Sequence, residues 1–354
     1  MNKQFIKMYF AENAPRYIFG ATAEAKELIA IHREKNIEIT AVIDNFFSGE
    51  KFSGLPCLKL NDVPSNALIL SAVTNSRPID VNNLLEKHNF NYCDYFYFYR
   101  YSGLECPKIS FWEGVINHWQ TYKLEYDKVK SILSDYESIK TFDSIVGFRN
   151  NYDLSYMKGF TFNIANMYIE PFLLPFKEGG VFFDLGAFDG SDSDRFLRHC
   201  PTGKAYLFEP IPSQVESLAI KYKDFSAVTV VPVAVGNASR NVSFSLSGKS
   251  SKIVDKVGGA EVVSVQQICI DEFCADNNII PYYVKMDVEG VELDVLNGMA
   301  DTIIKYKPKL AVSVYHRADH LISVPNYLKK LCPEYKFYLR HYTQGYSETV
   351  LFAV

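Results

Sequence analysis

The run VFFDLGAFDGSDS at residues 181–193 constrains the fold of this chain more than any other stretch. An apolar run leads to Asp184, glycines follow at Gly186 and Gly190, and a polar run starts at Ser191. This order predicts a strand, a tight glycine turn and the amino terminus of a helix. Such a unit binds nucleotide-like ligands, because glycine allows a close backbone approach and the helix end supplies N–H donors. The same pattern also occurs as plain strand–helix packing, so the motif alone leaves both alternatives open.

Acidic residues and a histidine recur at the ends of the strands predicted after this turn. The predicted strands are 205–210, 228–236, 282–290 and 309–316, and the polar residues at strand ends are Asp184, Glu209, Asp287 and His316. Because the carboxyl ends of parallel strands share one sheet edge, we expect these side chains around one ligand crevice. Glu209 follows Gly190 by 19 residues, about the separation at which an acid binds a ribose diol.

The other elements predicted after residue 179 complete an α/β fold that ends in antiparallel strands. The run 291–306 is predicted as a helix, and 242–246 and 262–269 as short strands of a hairpin or sheet extension. The last twenty residues alternate in polarity and break at Gly345, which predicts a closing antiparallel hairpin.

Residues 16–100 form a second, smaller α/β pattern. Strands are predicted near 16–19, 38–46 and 67–73, with a helix after Gly20 and another over 78–88. Asp44 ends the second strand 24 residues after Gly20, the position that holds a ribose hydroxyl in dinucleotide-binding folds. Only one of the usual three glycines is present, so a working nucleotide site and a degenerate domain for dimerisation or scaffolding both remain open.

Residues 92–178 have the apolar spacing of several helices. They are predicted to form either a cap over an active site or a covalent bridge between two sheets. Tyr168 and Glu170 lie just ahead of the glycine turn and are candidates to line the ligand site. The predicted organisation is 1–105 as a Rossmann-like domain, 106–178 as a helical linker or cap, and 179–354 as the main α/β domain.

Composition narrows the class of protein. A hydrophobic share of 48% supports a large core, and a net charge of −4 argues against a general nucleic-acid binder. No apolar run reaches membrane-spanning length, and we expect neither a signal peptide nor a zinc site. Seven scattered cysteines favour reduced thiols in a cytoplasm.

The motifs DLGAFDG, FEP, VAVG and VKMDVEGVELDVLNG resemble the methyltransferases of the FkbM family over about residues 160–354. The resemblance implies a class I, S-adenosylmethionine-dependent methyltransferase with a Rossmann sheet and an antiparallel C-terminal hairpin. It also implies a cofactor turn at Asp184, Gly186, Ala187 and Gly190, ribose binding by Glu209, and an adenine border at Ala234 and Val235.

A sugar hydroxyl is a poor nucleophile, so methyl transfer gains from a general base or from a divalent metal. Asp287 and His316 are the predicted catalytic residues. Iron, manganese or magnesium is the predicted metal, with Asp287, Glu289, His316 and His341 as candidate ligands; carboxylate with imidazole favours a transition metal. Glu289 and Glu292 have an alternative explanation, because acidic residues at a helix amino terminus interact favourably with the helix dipole. Asp319, His320 and Arg340 are candidates for contacts to the substrate, with ordinary surface roles as the alternative.

The resulting prediction is a cytoplasmic O-methyltransferase acting on a sugar, nucleotide-linked and destined for a surface polysaccharide. The expected partner is a sugar or a sugar nucleotide. We expect neither a nucleic-acid partner nor a membrane span, and a homo-oligomer is possible. The alternatives are an NAD-linked sugar-nucleotide oxidoreductase and a non-catalytic scaffold for sugar-nucleotide enzymes.

Overall fold

The computed structural model describes residues 2–106, 109, 115–245, 252–253 and 262–354. The predicted helical residues 111–114 and the strand residue Leu246 lie outside these ranges. The chain divides into two compact units. Unit 1 comprises Met1–Thr121, Phe142–Ile164 and His341–Ser347, and unit 2 comprises Tyr122–Thr141, Ala165–Arg340 and Glu348–Val354. The predicted connector 106–178 is thus shared between the units, and the domain limits stay a prediction.

The helices are α1 Asn2–Tyr9, α2 Ala23–Glu34, α3 Pro78–Lys87, α4 Tyr95–Tyr101, α5 Val115–Thr121, α6 Lys123–Ile132, α7 Tyr136–Asn151, α8 Ser191–His199, α9 Pro212–Lys221, α10 Ile270–Asn277, α11 Glu292–Asn297, α12 Ala300–Tyr306 and α13 His320–Leu331. Short 3-10 turns lie at Leu60–Asp62, Leu154–Met157, Ile164–Asn166 and Pro171–Leu173.

The strands are β1 Arg16–Phe19, β2 Ala41–Ile43, β3 Lys51–Phe52, β4 Leu55–Leu58, β5 Leu68–Ser71, β6 Asn91–Cys93, β7 Val181–Leu185, β8 Lys204–Phe208, β9 Val228–Val231, β10 Ala234–Gly236, β11 Arg240–Ser245, β12 Lys252–Ile253, β13 Val262–Cys269, β14 Tyr283–Met286, β15 Lys309–Ser313, β16 Phe337–His341 and β17 Thr349–Ala353.

Unit 1 contains a sheet in the order β3-β4-β2-β1-β5-β6. Strand β1 runs parallel to β2 and β5, and β6 continues the parallel set. Apolar side chains of β1, β2 and β5 form one buried cluster with Leu60 and Leu85. The predicted parallel α/β unit near the amino terminus is confirmed, and its helix α2 begins at an N-cap Thr22 whose side chain accepts from the Ala25 N–H.

Unit 2 contains a sheet in the order β16-β17-β15-β14-β7-β8-β9. Strands β7, β8, β9, β14 and β15 are mutually parallel, and β17 runs antiparallel to β15. Strand β14 is fully buried, and β15 is buried except at its first residue, because helices cover parallel sheets on both faces. The predicted class I methyltransferase-type sheet with an antiparallel carboxyl end is confirmed. A smaller sheet in the order β10-β13-β11-β12 adjoins it in the same unit.

Two predicted elements of unit 2 are each divided in the structure. The predicted strand 228–236 splits into β9 and β10, which join different sheets, because Pro232 lacks the N–H that a continuing ladder requires. The predicted helix 291–306 splits into α11 and α12 at Gly298. A Cβ on this glycine would lie 2.0 Å from the carbonyl oxygen of Gly236, so the break follows a close backbone approach.

Within the described residues, none of the helices combines the length and the apolar character that crossing a bilayer requires.

Candidate active site

The glycine turn after β7 is built around a close approach of two backbones. Gly186 has a φ of +80°, and a Cβ on it would lie 2.0 Å from the carbonyl oxygen of Asp287. Its N–H and that of Ala187 both donate to the carbonyl of Phe208, at 3.0 and 3.1 Å. The turn is therefore fixed against the ends of both neighbouring strands, and only glycine fits at its first position.

Gly190 begins the helix that follows the turn. It is the N-cap of α8, with a φ of +73°, as the sequence predicted for a helix starting at Ser191. The Tyr222 hydroxyl donates to the Gly190 carbonyl at 2.8 Å and lies 2.7 Å from Oδ1 of Asp194. A tyrosine on the neighbouring helical segment thus holds the second half of the turn.

Asp184 lies completely buried beside the turn and forms internal contacts. Its Oδ2 accepts from the Ser193 hydroxyl at 2.8 Å, and its Oδ1 lies 3.1 Å from Nζ of Lys285 on β14. Asp184 and Lys285 face each other in the register of β7 and β14. These contacts connect the strand, the helix start and the neighbouring strand.

Glu209 follows β8 and is buried at the ligand edge. Its Oε2 accepts from the Phe188 N–H at 3.0 Å and its Oε1 from the Ile211 N–H at 2.9 Å. Burial raises the pKa of its carboxyl group, although the two backbone donors act in the opposite direction. An ionised carboxylate has about four acceptor positions, so both oxygens keep capacity for a ligand diol.

A cavity of about 630 Å³ lies at this edge, a volume within the range of small-molecule cofactor sites. Five of the seven predicted cofactor residues line it: Gly186, Ala187, Glu209, Ala234 and Val235. Asp184 and Gly190 are the other two, and they support the turn in the contacts described above. The lining also includes Asp287, Glu289, Tyr315 and Glu348.

Asp287 stands at the end of β14 and is held by two tyrosines. Its Oδ2 accepts from the Tyr168 hydroxyl at 3.1 Å, and its Oδ1 lies 3.4 Å from the Tyr315 hydroxyl. The Tyr168 hydroxyl also lies 3.0 Å from Oγ of Ser313. Tyr168, predicted as a residue near the ligand, is fully buried and contacts Asp287.

His316 is oriented by a buried carboxylate. Its Nδ1 lies 2.6 Å from Oε1 of Glu292, and its Nε2 lies 3.3 Å from Oδ1 of Asp287. The second oxygen of Glu292 lies 3.1 Å from Nδ1 of His320. Burial opposes the charged imidazole, but the adjoining Glu292 carboxylate outweighs it and raises the pKa of His316 to about 9.

Glu292 is completely buried between these two histidines. Burial acts to raise the pKa of its carboxyl, but His316 and His320 outweigh it and hold that pKa well below the ordinary value. Glu292 begins α11, as the helix-terminus interpretation of the sequence expected. Its contacts to His316 and His320 are additional, and the sequence analysis had not assigned them.

The structure brings three of the four predicted metal ligands near one another. Oε2 of Glu289 lies 4.0 Å from Nε2 of His316, on the side where Asp287 approaches. Among described residues, one oxygen of Asp287, one of Glu292 and one nitrogen of His316 all lie within 4.8 Å of each other. His341 belongs to unit 1, where its Nε2 lies 3.2 Å from Oγ1 of Thr343 and burial lowers its pKa to about 3.

Two further candidates for substrate contact form ion pairs within unit 2. The guanidinium of Arg340 lies 2.7 Å from Oδ2 of Asp135 and donates to Oγ of Ser138 at 2.9 Å. Asp319 accepts from Nε of Arg317 at 3.0 Å. A role of these residues in substrate binding stays a prediction.

Lys285 and Glu292 are the residues whose roles the sequence analysis missed. Both belong to the run K-x-D-x-E-G-x-E that carried the resemblance, and a charged residue within an apolar strand was the available signal for Lys285. Their partners lie 24 or more residues away in the chain, so local spacing could not identify the contacts.

The strand order, the glycine turn after β7 and the acid after β8 together define a methyltransferase fold of the class I type. Residues 184–337 match the family model described as the methyltransferase FkbM domain.

This chain is similar to a solved structure and to two curated relatives. The crystal structure of the methyltransferase FkbM from Methylobacillus flagellatus KT superposes with a TM-score of 0.77 at 21% identity, covering 100% of this chain and 93% of that one. Hexuronic acid methyltransferase AglP of Haloferax volcanii is 30% identical over 131 residues, 36% of this chain and 53% of the relative. The 2-O-methyltransferase NoeI of Sinorhizobium fredii is 25% identical over 148 residues, 36% of this chain and 61% of the relative. The chain therefore spans less than two thirds of either curated relative.

Proposed function

We propose that this protein transfers a methyl group from S-adenosylmethionine to a hydroxyl of a sugar. The observation that carries the proposal is one cavity lined both by the glycine turn with Glu209 and by Asp287, which His316 adjoins. The first set offers backbone and carboxylate groups for a nucleoside. The second offers an acid and an imidazole for an acceptor hydroxyl. The donor and acceptor halves of a methyl transfer thus meet in a single space.

The donor half uses Glu209 for the ribose hydroxyls and the turn at Gly186 for close approach to the cofactor. The two backbone N–H groups fix the Glu209 carboxylate before a ligand arrives, which reduces the entropy cost of binding. Ala234 and Val235 on β10 provide apolar surface on the cavity wall, and we assign the adenine there.

The acceptor half uses His316 as a general base. Glu292 holds the imidazole at Nδ1, so we assign Nε2, which faces Asp287, as the nitrogen that takes the acceptor proton. A base that removes this proton during in-line attack on the sulfonium methyl contributes roughly 10²–10⁴-fold. The developing imidazolium is stabilised by the same carboxylates that raise the pKa of His316.

The sugar substrate is inferred from the names of the two curated relatives, a hexuronic acid methyltransferase and a 2-O-methyltransferase. Linkage of the sugar to a nucleotide, a destination in surface polysaccharide and work in the cytoplasm are finer predictions from the sequence. Mass spectrometry of free sugars and sugar nucleotides after incubation with S-adenosylmethionine tests the nucleotide linkage, through a gain of one methyl group on the true acceptor.

A divalent metal is a second candidate for activating the hydroxyl, favoured by the proximity of Asp287, Glu289 and His316. Two carboxylates and one imidazole fit iron or manganese, and Glu292 at Nδ1 would orient the histidine as carboxylates do beside metal-bound imidazoles. A bound metal would lower the pKa of the acceptor hydroxyl. Activity that survives EDTA and dialysis assigns His316 as the base; loss that one divalent ion restores assigns the metal.

The cofactor assignment is tested by calorimetric titration with S-adenosylhomocysteine. Glu209→Ala should weaken binding about 10–100-fold, since it removes hydrogen bonds to a charged acceptor. Glu216→Ala is the control, because Glu216 lies exposed on α9, the helix that follows Glu209. Unchanged affinity in Glu209→Ala, or absence of binding by the unaltered protein, would refute the donor half.

The oxidoreductase alternative depends on a dinucleotide site in unit 1, where the turn after β1 has only Gly20 of the three glycines that such a site uses. Oδ2 of Asp44 accepts from the Ala21 N–H at 2.9 Å, and Oδ1 accepts from the N–H groups of Phe46 and Phe47. These contacts are equivalent to those of Glu209, so the incomplete glycine pattern is what disfavours the alternative. We assign unit 1 a scaffolding role, and titration with NAD and with a sugar nucleotide tests that assignment.

A further inference from the structure

Lys285 is a buried cation at the centre of the site that the proposed chemistry does not use. It stands on β14, two residues before Asp287, and its side chain is 3% exposed. A buried lysine is costly unless its ammonium group is paired and hydrogen-bonded, so its contacts require a reason.

The ammonium group contacts the cofactor turn and the two elements that flank it. Nζ donates to the carbonyl of Gly186 at 2.6 Å, and it lies 3.1 Å from Oδ1 of Asp184 and 3.5 Å from Oδ2 of Asp192. These partners come from the turn itself, from the strand before it and from the first turn of α8. Nζ also lies 5.5 Å from the ring centroid of Tyr168, whose hydroxyl donates to Asp287.

Gly186 is the residue of the cofactor turn at which a hydrogen bond to the backbone carbonyl has the most effect on the turn. Its left-handed conformation brings it against the Asp287 carbonyl, and it lines the cavity together with Lys285. The peptide between Gly186 and Ala187 is held at both of its polar groups. Lys285 binds its carbonyl, and its N–H, that of Ala187, donates to the Phe208 carbonyl.

We infer that Lys285 is a positioning residue, which holds the Gly186 peptide in the orientation that receives the cofactor and joins the turn to the strand bearing Asp287. This inference depends on the proposed cofactor site. Asp184 has the supporting role: it neutralises the buried lysine and anchors Ser193 at the start of α8.

The test separates positioning from simple stability by comparing a single and a double variant. Lys285→Met removes the ammonium group and leaves the Asp184 carboxylate buried without its cation, so this variant should lose stability. Asp184→Asn combined with Lys285→Met removes both charges, and such exchanges are often tolerated. We expect the double variant to regain thermal stability while its affinity for S-adenosylhomocysteine stays about tenfold or more below that of the unaltered protein.

Lys309→Met is the matched control. Lys309 lies opposite Tyr283 on the adjacent strand β15, and its Nζ also donates to a backbone carbonyl, that of Leu173, at 2.7 Å. We expect this variant to lose stability without losing affinity per folded molecule, measured by calorimetry on protein shown to be folded by circular dichroism.

Three results would overturn the inference. They are a double variant that regains affinity together with stability, a folded Lys285→Met protein that binds as tightly as the unaltered one, and a Lys309→Met protein that loses affinity to the same extent. Failure of the proposed function is a different result, because the unaltered protein would then not bind S-adenosylhomocysteine at all.

Discussion

Glu292→Gln should move the pH dependence of methyl transfer by more than two pH units. The substitution keeps the size of the side chain and removes its charge, so the contacts to His316 and His320 lose their electrostatic part. Because the Glu292 carboxylate is the main group that raises the pKa of His316, its loss leaves burial as the dominant influence, and burial lowers that pKa.

The magnitude follows from the groups that face His316. Its pKa of about 9 stands about 2.5 units above the ordinary value of 6.5, and Asp287 and Glu289 supply the smaller part of the rise. The variant should therefore titrate at 6.5 or below. At one unit per 1.36 kcal/mol, the lost preference for imidazolium is on the order of 3 kcal/mol.

The assay is the pH profile of kcat/KM for the acceptor at saturating S-adenosylmethionine. A general base must be unprotonated in the free enzyme, so activity of the unaltered protein should rise with pH and level off above about 9. In Glu292→Gln the rise should end near or below 6.5, with a plateau roughly tenfold to a hundredfold lower, because the imidazole is a weaker and less firmly oriented base.

Glu289→Gln is the control variant. Its carboxylate lies 4.0 Å from Nε2 of His316, against 2.6 Å between Glu292 and Nδ1, so its effect on the profile should be the smaller one. Two results would show that Glu292 is not the main group that raises the pKa of His316. One is an ascending limb of Glu292→Gln that coincides with that of the unaltered protein, and the other is a larger shift in Glu289→Gln.

Three further outcomes are expected. Gly186→Ala should unfold the turn or abolish cofactor binding, at a cost of about 3 kcal/mol or more in a denaturant titration, because its Cβ would lie 2.0 Å from the Asp287 carbonyl oxygen; a stable, cofactor-binding variant would contradict this geometry. Tyr168→Phe should cost about 1 kcal/mol and lower kcat more than it changes KM for S-adenosylmethionine, since it removes the hydroxyl bound to Asp287 and Ser313; equal kinetics would show that Asp287 needs no such support. The pKa of His316 in the folded protein exceeds its value in the unfolded chain, so the contribution of this histidine to stability is complete below pH 6.5 and disappears as pH rises through about 9. Glu292→Gln should lack this decline, which denaturant midpoints measured at pH 6 and 9.5 would show.

The repeating pattern of strands and turns was predictable because its causes are local. Alternation of apolar strands and amphipathic helices identified both parallel sheets, and the glycines and the polar run at 186–193 identified the turn and the start of α8. Where the structure differed, a single backbone property was responsible. Pro232 ended one ladder, and the close approach of Gly298 to Gly236 ended one helix.

The charged network of the site was not predictable, because its contacts cross between strands. Glu292 was explained by its helix terminus, which is correct locally, but its histidines come from the segment after β15 and from the start of α13. Lys285 pairs with Asp184 through the register of β7 and β14, and a sequence does not state its register. Strand order brings these residues together only once the sheet is assembled.

The chain passes between its two units five times, after Thr121, Thr141, Ile164, Arg340 and Ser347. Neither unit is therefore a continuous segment that a single cut can release. A fragment covering only residues 184–337 would lack β17, which pairs with β15, and also Ser134, whose Oγ accepts from the Phe337 N–H. Exchange of modules at any one of these junctions would divide at least one unit, so variants of this protein are best made by point substitution in the full chain.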